Sequence, residues 1–176
     1  MIKNVSFLAI ICLSLIAFSV PEKIDKKADA AISKFLETAN FQKEMIVVSE
    51  AANKETSTLF SEDNFFKIVS EGEHMGYGYI GNAPSKTATY DYLVLFDTNW
   101  IITKSKVLVY REEYGGEIGS KRWLRQFTGA TVGGKPLRYN QEIIPISGAT
   151  ISVQSMTKAM NELLKDIASL KASKQI

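Results

Sequence analysis

Ser147-Gly148-Ala149-Thr150 sets two hydroxyls around two residues of minimal bulk, immediately ahead of a segment with helical apolar spacing. Gly148 and Ala149 leave the Thr150 hydroxyl open to close approach. The N–H groups of a first helical turn lack backbone partners, and the helix dipole favours an anion there. Two readings stand side by side. In one, a phosphate attached to Thr150 rests on the helix start. In the other, Thr150 or Ser152 caps the helix, as these residue types routinely do. Thr128-Gly129-Ala130-Thr131 has the same shape, but Val132-Gly133-Gly134-Lys135-Pro136 follows it. Glycine and proline deny that copy a helix, so it reads as a turn and Thr131 as a poor acceptor.

Other chemistry is thin. His74 is the sole histidine, so there is no HExxH pair and no histidine-centred metal cluster. No GxSxG elbow, phosphate-binding P-loop or GxGxxG signature after a strand occurs. Glu112 and Glu113 read as solvated acids, and the spacing of Asp91 and Asp97 argues for neither an acid pair nor a metal site. No residue is singled out as catalytic, and no metal site is expected. The net charge of +2, with no basic stripe interleaved with aromatics, argues against nucleic acid as a partner.

The elements that must position Thr150 follow from periodicity. Ala28, Ala31, Ile32 and Phe35 predict an amphipathic helix over about 25–37. Met45-Ile46-Val47-Val48 is a strand candidate, 53–64 a polar loop or short helix, and 65–69 a strand closed by the turn Glu71-Gly72-Glu73. In Met75-Gly76-Tyr77-Gly78-Tyr79-Ile80-Gly81, glycines alternate with aromatics. That pattern fits a twisted strand under a helix or a ligand-facing surface. Residues 90–96 and 101–110 are the strongest strands, joined at Asp97-Thr98-Asn99, with Trp100 blurring the boundary. Val153, Met156, Met160, Leu163, Leu164, Ile167 and Leu170 predict a final helix of four or five turns from about Ser152, with Asn161 and Lys165 on its wet side. The expected fold class is α+β: a mostly antiparallel sheet with an N-terminal and a C-terminal helix packed on it.

Lys3, the apolar run from Val5 to about Ala17, and Ala17-Phe18-Ser19 read as a signal peptide or membrane anchor over 1–19, ahead of a single domain over 20–176. Ile11 before Cys12 argues against lipidation, and loss of the segment would leave no cysteine for disulfide, thiolate or haem attachment.

Ser147-Gly148-Ala149-Thr150, with Ser152 and a helix behind it, resembles the flavinylation motif of the FMN-binding domain family. That family includes periplasmic subunits of the sodium-pumping NADH:quinone oxidoreductase and of Rnf-type complexes. Glu113-Tyr114-Gly115-Gly116-Glu117-Ile118-Gly119, then Trp123 and Phe127, is similar to its glycine-rich loop and following short helix beside the flavin. The resemblance spans about 72–167. It implies that Thr150 carries FMN through a phosphoester, delivered from FAD by a magnesium-dependent flavin transferase. It further implies close approach at Gly148 and Ala149, and a flavin flanked by Gly115, Gly116, Gly119 and either Tyr114 or Trp123. The implied role is an electron carrier, not a substrate-specific enzyme, at the outer face of the cytoplasmic membrane with membrane-bound or exported redox partners. The family usually has aspartate three residues before the motif; this chain has Ile144. Two alternatives stand beside this: reversible binding of FMN or another ligand, and a flavin-free interaction protein using the Gly–Tyr strand as its contact face.

Overall fold

The computed structural model describes residues 19–176. The expected leader over 1–19 therefore lies, apart from Ser19, outside the described residues. Five strands form one antiparallel sheet in sequence order: β1 (Gln42–Met45), β2 (Phe65–Ser70), β3 (Glu73–Pro84), β4 (Thr89–Phe96) and β5 (Ile102–Tyr110). The helix α1 (Glu22–Leu36) covers one face and α4 (Thr150–Ala172) the other, with α2 (Glu50–Lys54) and α3 (Lys121–Leu124) as short connectors. The α+β expectation holds.

β4 shows why the two faces separate. Tyr90, Tyr92, Val94 and Phe96 join the core under α4, while Leu93 and Leu95 join the core under α1, as period-two alternation requires of a strand covered on both sides. Ile24, Ala28, Ala31 and Ile32 form the buried stripe of α1. Phe35, expected in that stripe, is 39% exposed; it sits at the edge, beneath the Lys104 ammonium at 5.2 Å. The alternating glycines of β3 serve packing. A Cβ on Gly78 would lie 2.3 Å from the Phe66 ring, and one on Gly81 would lie 2.3 Å from the Tyr92 ring. Tyr79 is also buried, so this stretch is interior and offers no open Gly–Tyr contact face.

Three boundaries differ from expectation. The first strand ends at Met45, where the apolar run begins, because pairing with β2 involves Gln42 to Met45; Val47 points to solvent and Val48 into the core. Trp100 belongs to the β4–β5 turn with φ +65°, its ring stacked on Tyr77 at 3.6 Å, while Asp97 accepts from the Asn99 and Ile101 amides at 2.9 Å each. Finally, α4 starts at Thr150 and runs 23 residues. Asn161 also departs from the wet side: it clasps the Leu137 backbone, accepting from its N–H and donating to its carbonyl at 2.8 Å each. Thr128-Gly129-Ala130-Thr131 is a turn, and it pairs with the outer edge of β5 around Ile101 and Ile102.

Candidate functional site

Gly148 takes a left-handed φ of +78°, which ends the preceding loop and turns the chain into α4. Ala149 occupies the cap position with φ −123°, and no side chain caps the helix. The capping reading for Thr150 and Ser152 is thus replaced. Thr150 is the first helical residue, exposed, and its hydroxyl makes no hydrogen bond among the described residues. Ser152 is buried, with its Oγ 3.1 Å from the Tyr110 Oη. The first turn itself contains no acidic side chain; the one carboxylate lining the same cleft, Glu112, accepts from the Thr87 and Ala88 amides.

An open cleft of about 400 Å³ lies at this helix start, lined by Lys86, Tyr110, Glu112, Tyr114 and the run from Gly148 to Ser152. Its far wall comes from the segment after β5. Gly115, at φ +81°, brings that segment against the motif: a Cβ there would meet the Ala149 Cβ at 2.7 Å and the Tyr110 Oη at 3.0 Å. Tyr110 donates to the Tyr114 carbonyl at 3.0 Å and so fixes where the loop leaves the strand. The Tyr114 side chain is 79% exposed, and the exposed Ile151 flanks the cleft on the helix side. An exposed aromatic ring and an aliphatic side chain, with helix-start amides and a lysine along the lining, suit a ligand having an anionic end and a flat apolar end.

Of the residues expected at the site, the structure brings Thr150, Gly148, Ala149, Ser152 and Tyr114 to the cleft and sets Gly115 directly behind it. Ser147 is exposed just ahead of it, and Glu113, Gly116 and Gly119 lie on the outer side of the loop. Trp123 is a strut. Its ring is buried against Phe127, and its indole N–H donates to the Ile144 carbonyl at 2.8 Å. The Ile144 amide donates to Gln126 Oε1 at 2.8 Å, so this backbone is held at both ends while the Ile144 side chain stays 65% exposed.

Sequence reasoning missed Lys86, Tyr110 and Glu112. Glu112, read as solvated, ties down the β3–β4 loop. Its carboxylate accepts from the Thr87 amide at 2.6 Å, the Thr87 hydroxyl at 2.9 Å and the Ala88 amide at 3.1 Å. Those donors, the Thr87 amide first, pull its carboxyl down to about 2. No spacing signal links residues so far apart in the chain. Asp91 is held by Arg111 and by Asn82 Nδ2, and the described residues contain no cluster able to hold a metal ion.

Residues 42–165 match the FMN-binding domain family. The chain belongs to that family. No curated protein matches. Among solved structures the chain is similar to NqrC of Shewanella oneidensis, with 16% identity and a TM-score of 0.51 over 73% of this chain and 70% of that one. At that identity the likeness is one of fold.

The cleft fits the cofactor of the family. An uncapped helix start with free N–H groups and Lys86 matches a phosphate, and Thr150 offers an unused hydroxyl beside them. Tyr114 and Ile151 match an aromatic ring system left partly exposed.

Proposed function

We propose that this chain is an exported electron carrier holding FMN as a phosphoester on Thr150. The observation that carries this reading is the unbonded Thr150 hydroxyl at an uncapped helix start, beside a cleft that the glycine loop closes. Attachment is a phosphoryl transfer. The Thr150 Oγ forms a bond to the flavin-side phosphorus of FAD, the bond to AMP breaks, and the hydroxyl proton leaves to a base on a magnesium-dependent flavin transferase. The bound flavin supplies one- and two-electron redox chemistry. The protein's residues would supply the rest: α4 amides and Lys86 would hold the phosphate, Gly148 and Gly115 set the backbone path, and Tyr114 would offer an aromatic face to the ring system. Thr150 acts as a tether and takes no part in turnover. Electrons pass between membrane-bound or exported partners at the outer face of the cytoplasmic membrane, consistent with the leader-like N-terminal sequence.

A second reading, reversible FMN in the same cleft, is favoured by Ile144 in place of the family's aspartate. Intact mass and peptide mapping separate the two. The chain is exported from a host carrying a flavin transferase, beside a working acceptor protein. A gain of FMN minus water on the Thr150 peptide, lost in Thr150→Ala and kept in Thr131→Ala, is the expected result. An unmodified Thr150 beside a fully modified control overturns the covalent link. Yellow colour released on denaturation then marks reversible binding, and a colourless protein overturns both readings.

A further inference from the structure

Charge is segregated across α1. Asp25 and Asp29 face β1, where both pair with Lys43. On the opposite flank Lys27 and Lys34 stand seven residues apart, two turns along one helix face. Lys27 Nζ donates to the Leu108 carbonyl at 3.2 Å, which sets this flank against β5. Lys104 and Lys106, opposite Leu95 and Leu93, project from β5 on the same side of the sheet. Partial burial first, and then the like charges of Lys106, Lys121 and Lys34, lower the Lys104 ammonium below the usual lysine range. Among the described residues none of these five lysines is in an ion pair. Uncompensated like charges drawn from three elements are unfavourable in the isolated domain and favourable against an anionic surface.

We propose that the flank formed by Lys27, Lys34, Lys104, Lys106 and Lys121, with Phe35 among them, seats the domain on a bilayer carrying anionic headgroups. Two observations choose a bilayer over an acidic protein. Phe35 is exposed within the basic flank, 5.2 Å beneath the Lys104 ammonium, and an aromatic ring among lysines suits the boundary between headgroup and acyl chain. In addition, the apolar run from Val5 to Ala17 ends a few residues before Glu22, so any anchor left in the membrane delivers α1 directly to its surface. Because α1 and α4 lie on opposite faces of the sheet, this seating leaves the cleft at the start of α4 uncovered. The proposal does not depend on the flavin.

Amine footprinting tests it on the full chain mixed with phosphatidylcholine vesicles, with or without phosphatidylglycerol. The acylation rate of each lysine is compared between the two lipid compositions. Lys34, Lys104, Lys106 and Lys121 are expected to react about five-fold more slowly on the anionic vesicles, the factor for an ammonium held near an anionic surface. Lys158 and Lys165 on α4 are expected to be unchanged, and the protection should fade as salt is raised. Equal rates on the two vesicles, or equal protection of the α4 lysines, overturns the proposal. A Phe35→Trp variant gives a second reading: blue-shifted emission on anionic vesicles supports the seating, and unshifted emission counts against it.

Discussion

Thr150 contributes an oxygen that no other described residue uses, whereas the backbone six residues upstream is tightly held. Trp123 and Gln126 fix both backbone groups beside Ile144, and only the side chain is left facing solvent. A carboxylate there would be an exposed feature for a transferase to read, at no packing cost. Ile144→Asp is therefore expected to raise the rate of flavin acceptance at Thr150 while changing stability by less than about 0.5 kcal/mol. Time courses of mass gain with a fixed amount of transferase, alongside urea denaturation, check both halves; an unchanged rate would remove position 144 from recognition. Glu112 carries a pH dependence. Its carboxyl is ordinary at 4.5 when unfolded and held at about 2 when folded, so the folded chain binds fewer protons between those values. The stabilisation is present above about 4.5 and is lost as pH falls toward about 2. The amide proton shifts of Thr87 and Ala88 are expected to titrate near the lower value, and a midpoint near 4.5 would show the bonds absent in solution. The motif around Thr150 was legible through its resemblance to the family's flavinylation motif; its residue types alone suited a simple helix cap equally well. Glu112 was not, because its partners are set by how β3 turns into β4.

Among the elements, α4 does the most joining. Its first turn faces the cleft, Asn161 clasps Leu137, and Asp166, only 4% exposed, accepts from the Ser57 and Thr58 amides at 2.9 and 2.7 Å. The helix thereby fastens the loop between α2 and β2 to the sheet. Asp166→Ala leaves two amides without their acceptor. It is expected to destabilise the protein by about 2–4 kcal/mol, read from the shift in urea midpoint. A loss under about 0.5 kcal/mol would mean that water replaces the carboxylate freely. The apolar stripe of this helix could be read from its spacing; these polar contacts could not, since Asn161 and Asp166 fall outside the stripe and look solvated until their neighbours are known. The first strand misled for a related reason. Gln42-Lys43-Glu44-Met45 carries no hydrophobic alternation, and its pairing is imposed by β2.

For the whole molecule, the sheet separates two cores that share a backbone but few side chains. That architecture followed from the sequence because both helices and the central strands have clear periods. The assignment of each face did not, since the run from Tyr92 to Phe96 is aromatic or aliphatic at every position and its alternation is hidden. The separation makes a prediction about coupling. Ala28 is fully buried where α1 meets Phe66, Ile68 and Leu93, so Ala28→Leu forces extra volume into a closed layer. Overpacking of this kind costs about 1–3 kcal/mol, and the denaturation midpoint should fall accordingly. The cleft draws its walls from the other core, so at temperatures where the variant remains folded its rate of flavin acceptance should equal that of the native chain. If the folded variant instead accepts flavin more slowly, strain must cross the sheet through β4 and β5. The β5 end at Tyr110 would then be the place to look, because its hydroxyl links the strand to both Tyr114 and Ser152 and would carry a shift of the sheet into the start of α4.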